Sequence, residues 1–155
     1  MSRYTALARL PPPTLRECPF DKLAQRVAQL EQRIAVRVDA GPPVVLDADP
    51  DQIEQALINL IKNATDASLA VAHNDGVVGL RWYCDARALI AEITDNGPGL
   101  PPSENLFVPF FTTKPGGSGI GLVLARQIIE AHGGTLILEN RDDARGCVAR
   151  LRLPL

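Results

Sequence analysis

Residues 49–72 read Asp49-Pro50-Asp51-Gln52-Ile53-Glu54-Gln55-Ala56-Leu57-Ile58-Asn59-Leu60-Ile61-Lys62-Asn63-Ala64-Thr65-Asp66-Ala67-Ser68-Leu69-Ala70-Val71-Ala72. At about 100° per residue, Ile53, Leu57, Leu60, Ile61 and Ala64 fall in one sector, so the stretch predicts one long amphipathic helix. Asp49 stands at the N-cap, and Pro50 suits the first turn, where its missing N–H breaks no helical hydrogen bond. Asn59, Lys62, Asn63 and Asp66 occupy an adjacent polar sector about 100° wide. Asparagine is an indifferent helix former, so two of them one turn apart carry a propensity cost. Taken alone, this stripe reads equally as a solvated face or as a ligand surface. In the second reading, hard and neutral amide oxygens ligate magnesium while substrate phosphates and waters complete the octahedron.

Upstream, Leu23, Val27, Leu30 and Ile34 recur at three- and four-residue steps and predict a helix from Asp21 to about Ile34. Short β-branched runs, Ile34 to Val38 and Val44 to Leu46, flank the turn Gly41-Pro42-Pro43 and read as strands. Before them, Tyr4, Leu7 and Leu10 fit the end of an amphipathic helix stopped by Pro11-Pro12-Pro13, which favours an extended linker. Downstream, Val78, Leu80, Trp82 and Cys84 share one parity, as do Leu89, Ala91 and Ile93; a turn near Asp85 makes the two runs a hairpin. Residues 96–119 are rich in glycine and proline without a period, as a long binding loop or lid would be. Ile120 to His132 reads as a helix closed by Gly133-Gly134. Strands Thr135 to Glu139 and Gly146 to Leu153 follow. This order predicts helices packed on one side of a mostly antiparallel sheet.

The whole chain has 155 residues, 46% of them hydrophobic and 22% charged, with a formal net charge of −2. That is the size and balance of one ordinary folded domain, able to bury roughly 70% of its unfolded surface without disulfides or a structural metal. Near-neutral charge argues against a nucleic-acid or anionic-membrane surface. Cys18, Cys84 and Cys147 are scattered, with no C-x-x-C, and read as reduced packing residues. No apolar run approaches the roughly 18 residues of a membrane span, and the amino terminus of this sequence lacks the basic-then-apolar pattern of a secretory signal. The expected setting is cytoplasmic, and the expected state is monomeric.

Two further stretches carry chemistry. Asp95-Asn96-Gly97-Pro98-Gly99-Leu100 follows a strand, and Asp95 shares the inward parity of Leu89, Ala91 and Ile93. A buried carboxylate needs a donor; an adenine amine is one, whereas guanine would leave it unpaired at about 1–3 kcal/mol. Gly97 and Gly99 would let the backbone pass close to the base, although an ordinary Asn-Gly turn explains the same letters. Lys114-Pro115-Gly116-Gly117-Ser118-Gly119-Ile120-Gly121-Leu122 leads into a helix, so exposed amides and the helix N-terminus form a plausible phosphate cradle; a flexible hinge is the plainer alternative. No strand immediately precedes these glycines and no G-x-x-x-x-G-K-[ST] occurs, which sets aside dinucleotide-binding and P-loop readings.

In order and spacing, Asn59-Leu60-Ile61-Lys62-Asn63-Ala64, Asp95-Asn96-Gly97-Pro98-Gly99, Phe107-Val108-Pro109-Phe110-Phe111-Thr112-Thr113-Lys114 and Gly117-Ser118-Gly119-Ile120-Gly121-Leu122 resemble the boxes of the ATP-binding catalytic domain of sensor histidine kinases. This is the Bergerat-type fold shared with gyrase, Hsp90 and MutL. The resemblance covers about residues 20–155. It implies an α/β (α+β) two-layer sandwich, a mixed and mostly antiparallel sheet covered on one face by about three helices, with an ATP lid. It assigns Asn63 to magnesium, Asn59 and Lys62 to the phosphate side, and Asp95 to the adenine amine. Gly97, Gly99, Gly117, Gly119 and Gly121 fall to the nucleotide pocket, and Phe107, Phe110, Thr113 and Lys114 to the lid. Asp66, Leu100, Ser118, Ile120 and Leu122 complete the expected ATP contacts, and Asn59, Lys62 and Lys114 are the expected catalytic groups. The stretch from Phe107 to Lys114, with Glu139-Asn140-Arg141, is similar to nitrogen-regulation sensor kinases.

Hydrolytic relatives carry a glutamate as base one turn before the magnesium asparagine; Asn59 stands there instead, and an amide cannot accept a proton at neutral pH. Transfer to an external nucleophile therefore fits better than hydrolysis, with a nucleotide-sensing or scaffold module as the other class. The acceptor histidine of such kinases lies on a separate dimerisation domain. His73 sits in a turn and His132 at a helix end, and neither matches it. The expected organisation is thus residues 1–20 as the tail of a dimerisation helix and linker, and 21–155 as the catalytic domain, partnered by that histidine-bearing domain and by a response regulator receiver domain.

Overall fold

The computed structural model describes residues 10–71, 76–100 and 120–155. Ten elements follow in order: β1 (Arg16–Pro19), α1 (Phe20–Leu30), β2 (Val36–Asp39), β3 (Val45–Ala48), α2 (Pro50–Val71), β4 (Val78–Cys84), β5 (Ala88–Asp95), α3 (Gly121–Ala131), β6 (Thr135–Asn140) and β7 (Cys147–Pro154). Five strands make one sheet in the order β2-β4-β5-β7-β6, with β2 parallel to β4 and the other pairs antiparallel. Strands β1 and β3 form a separate antiparallel pair.

The helices cover one face of the larger sheet. Ile53, Ala56, Leu57, Leu60, Ile61 and Ala64 of α2 are buried, as the helical sector predicts, against Leu89, Ala91 and Ile93 of β5 and Ala149, Leu151 and Leu153 of β7. Each large aliphatic side chain removed from water in this way contributes about 1.5–3 kcal/mol. The opposite face is polar: Arg81, Glu92 and Arg150 lie in register across β4, β5 and β7, and the buried Glu92 carboxylate pairs with both guanidinium groups. Cross-strand ion pairing leaves that face no need of a helical cover. The result is the expected two-layer sandwich. No helix among the described residues is long and apolar enough to cross a membrane.

Several predicted boundaries hold for the predicted reasons. Asp49 caps α2, its Oδ1 accepting the N–H groups of Asp51 (3.1 Å) and Gln52 (3.2 Å). Asp85 closes the β4–β5 hairpin by accepting the amides of Arg87 and Ala88, both at 2.8 Å. Gly133, with φ of +76°, ends α3 while its N–H donates to the Glu130 carbonyl; that backbone region favours glycine.

Other expectations change. The first helix stops at Leu30 rather than Ile34 because Glu31 is already extended (φ −79°, ψ 115°); Ile34 still packs against the core, but from the connection, which is why its spacing looked helical. The two short strands around Gly41-Pro42-Pro43 belong to different sheets. A Cβ on Gly41 would lie 2.0 Å from the Trp82 carbonyl oxygen, and Trp82 Nε1 donates to the Pro42 carbonyl at 3.0 Å. The connection is thus pinned across β4 and does not form a hairpin. Residues 16–19, read as linker, form β1, with Cys18 fully buried.

Candidate functional site

The polar sector of α2 is divided between two neighbours. At one end Asn59 faces the start of α3: a Cβ on Gly121 would lie 3.9 Å from the Asn59 Cβ and Cγ. Gln55 Nε2 donates to Asn59 Oδ1 at 3.1 Å, while Asn59 Nδ2 is buried without a partner among the described residues. A buried amide N–H₂ left in that state costs about 1–3 kcal/mol unless something accepts from it. Across from it, α3 begins at Gly121 with Ile120 supplying no side-chain cap. First-turn amides without a cap are donors suited to an anion. Ile120 and Gly121 are half-buried here, and Leu122 packs against the core.

At the other end, Asp66 is held by Arg33 from the α1–β2 connection, with Nη1 to Oδ1 at 2.6 Å, and Arg33 is in turn held by Glu31 at 2.8 Å. Asp66 is therefore an ion-paired support of the helix face as well as a candidate ligand contact. Asn63 is half-buried between these ends and Lys62 is exposed beside it.

Asp95 ends β5 only 4% exposed, as its parity predicts. Its Oδ1 accepts the N–H groups of Gly97 (2.9 Å) and Cys147 (3.2 Å). Burial pushes its carboxyl above the usual carboxylate range, against the lowering pull of those amides and of Arg141. The same burial, with the Asp95 charge adding to it, pushes the Cys147 thiol up to about 12. Gly97 is a packing glycine: its Cβ would lie 2.7 Å from the Ala67 carbonyl oxygen, one turn beyond Asn63 on α2. The turn after Asp95 is thus pressed onto the helix that carries the asparagines. Gly99 adopts φ of +88°. The close approach that the sequence assigned to a bound base is, for these glycines, made to the protein itself.

Sequence reasoning missed the residues that hold this turn. Ser68 Oγ accepts the Asn96 N–H at 3.3 Å and donates to the Val77 carbonyl at 3.1 Å, and Asn96 Oδ1 accepts the Val77 N–H at 2.9 Å. From the end of β6 and the β6–β7 connection, Asn140 Oδ1 accepts the Leu100 N–H at 2.7 Å and Arg141 Nη1 donates to the Asp95 carbonyl at 3.2 Å. Ser68 had one sequence signal, a buried helical phase one turn after Ala64. Of the other expected site residues, Phe107, Phe110, Thr113, Lys114, Gly117, Ser118 and Gly119 lie outside the described residues, as does His73.

His132 is described. Its Nε2 accepts the Asp49 N–H at 3.0 Å, so Nδ1 carries the proton and donates to the Ile128 carbonyl at 2.8 Å. Both ring nitrogens are used in joining the end of α3 to the start of α2, which leaves no lone pair for nucleophilic attack.

The arrangement thus brings the turn after the buried Asp95 and the start of α3 against α2, the helix that carries Asn59 and Asn63. Residues 48–155 match the family model described as histidine kinase-, DNA gyrase B- and HSP90-like ATPase. The chain is 40% identical over 103 residues to the sensor protein kinase PilS of Pseudomonas aeruginosa, covering 64% of this chain and 19% of that protein. It is 35% identical over 137 residues to the sensory histidine kinase/phosphatase NtrB of Vibrio alginolyticus, covering 78% and 38% respectively. It therefore spans between about a fifth and two fifths of the length of these relatives. Among solved structures, the mycobacterial sensor histidine kinase MprB superposes with a TM-score of 0.79 at 28% identity, over 91% of this chain and 97% of that one. The histidine kinase ThkA in complex with the response regulator protein TrrA gives 0.75 at 27% identity, over 92% and 42%. The chain belongs to the histidine kinase-, DNA gyrase B- and HSP90-like ATPase family, as a catalytic domain of the sensor histidine kinase type.

Proposed function

We propose that this chain binds Mg-ATP against α2 and the start of α3 and transfers the γ-phosphoryl group to a histidine on a separate dimerisation domain, from which a response regulator receiver domain takes it. The observation that carries the reading is Asn59 Nδ2, buried without a partner among the described residues and facing the start of α3, where Ile120 supplies no side-chain cap. An anionic acceptor between them would satisfy both. Asn59 and Lys62 serve the phosphate side of the nucleotide, Asp95 accepts from the adenine amine, and Lys114 joins them as a point charge. The donor set fits magnesium: Asn63 offers a hard, neutral amide oxygen of the kind that cation accepts alongside phosphate oxygens and water. When bound, the ion neutralises charge that develops on the phosphate oxygens. Asn59 orients and donates but cannot remove a proton from water, which favours transfer over hydrolysis.

The test supplies the histidine-bearing domain in trans with γ-labelled ATP. Acid-labile label should appear on that domain and not on this chain, and Asn59→Ala should abolish it. Robust labelling of this chain alone, or nucleotide binding with no label on the added domain, would overturn the proposal. The second outcome would favour a nucleotide-sensing module.

A further inference from the structure

Three contacts from the end of β6 and the β6–β7 connection converge on the turn that follows Asp95, and the roles assigned above leave them without one. Asn140 Oδ1 accepts the Leu100 N–H at 2.7 Å. Arg141 Nη1 donates to the Asp95 carbonyl at 3.2 Å, and Asp143 holds the same guanidinium at 3.1 Å. Gly146, at φ of +128°, lets the hairpin backbone close onto Asp95: a Cβ there would sit 1.9 Å from the Asp95 carbonyl oxygen. Leu100 and Asn140 are 40 residues apart, so the contact is a tertiary one and not a consequence of local turn geometry.

We infer that the end of β6 and the β6–β7 connection form a brace, with Asn140 and Arg141 as positioning residues that set the Asp95 carboxylate for recognition of an amino-bearing purine. This rests on the nucleotide reading above. Asp95 Oδ1 is committed to the Gly97 and Cys147 amides, one on the braced turn and one on the hairpin itself. The direction in which Oδ2 points is therefore fixed by the relative placement of turn and hairpin, which is what Asn140 and Arg141 tie together. A slackened brace leaves Asp95 in place on β5 but spreads the orientation of its carboxylate. Selectivity for an amine over a carbonyl at the base depends on that orientation. Asn140 lies at an exposed strand end, so its truncation spares the core.

The experiment compares wild type, Asn140→Ala and Asn140→Asp, the last keeping an acceptor oxygen. Calorimetry measures Mg-ADP and Mg-inosine diphosphate, whose base carries a carbonyl where adenine carries the amine. Hydrogen exchange follows the Leu100 amide. Asn140→Ala should lose Leu100 protection and weaken Mg-ADP about tenfold with little change for the inosine nucleotide, so that discrimination shrinks; Asn140→Asp should restore both. A general loss of fold would weaken both nucleotides alike, and that outcome overturns the brace. So does an Asn140→Ala chain that discriminates as well as wild type. A wild type that binds neither nucleotide overturns the underlying reading as well, and is thereby told apart from failure of the brace alone.

Discussion

Asp95 holds a carboxylate where water scarcely reaches it. Its pKa is raised by burial, so between the ordinary carboxylate value and the folded one the native state binds more protons than the unfolded chain. Stability falls as pH rises through that window. Asp95→Asn keeps an acceptor for the Gly97 and Cys147 amides and removes the charge. We expect its thermal midpoint at pH 7 to equal or exceed that of the wild type by scanning calorimetry, while Mg-ADP affinity falls at least about tenfold. Unchanged affinity would take Asp95 out of the nucleotide site. Glu92 shows the opposite balance on the outer face of the sheet: burial pushes it up, but Arg150 and Arg81 outweigh burial and hold it below the usual range. The same residue class thus acts as a charge under strain at the end of β5 and as a satisfied ion-pair partner three residues earlier.

Helix α2 is held at its first turn by contacts from three directions. Asp49 Oδ2 accepts the Thr14 N–H at 2.9 Å, its Oδ1 caps the helix, and its own N–H goes to His132 at the end of α3. The Thr14 contact leads the causes that hold the Asp49 carboxyl below its ordinary range. A depressed carboxyl adds stability that is present above the unfolded pKa and is lost as pH falls through the folded one. Asp49→Ala should cost about 1–2 kcal/mol in urea unfolding at pH 7 and markedly less at pH 3, with Asn in its place costing a fraction of that. A loss independent of pH would separate the cap from its charge. This element was legible in sequence because cap, proline and period all lie within one stretch. Likewise the β4–β5 hairpin follows from parity and a turn residue. What could not be read depends on distant partners: β2 pairs with β4 while the connection after it is pinned on Trp82 through Gly41 and Pro42, and Arg141 reaches Asp95 across 46 residues. Asn59, Asn63 and Asp95 stood out as polar groups in apolar settings, whereas Asn140 and Arg141 entered the sequence reading only through a family resemblance that attached no role to them.

At the scale of the molecule, the start of the folding unit decides how the catalytic domain can be joined to what precedes it. The expected organisation puts that start at Asp21, but β1 is built into the structure. Cys18 is fully buried in it, and β1 pairs with β3 in four-residue register. Phe20, next in the chain, is also fully buried, its ring edge-on to Trp82 at 5.8 Å between centroids, and its N–H donates to the Val44 carbonyl at 2.8 Å. A chain beginning at Asp21 loses these two side chains from the core and leaves β3 as an unpaired edge. Loss of a buried phenylalanine side chain alone costs about 3–5 kcal/mol. Residues 21–155 should therefore lose at least about 4 kcal/mol against the full-length chain in urea unfolding, or fail to fold cooperatively. Equal midpoints for the two chains would show that β1 is an ornament of the domain and that the linker can end where the first helix starts. Unequal ones mean that β1 and Phe20 belong to the folding unit, so that the domain starts before its first helix.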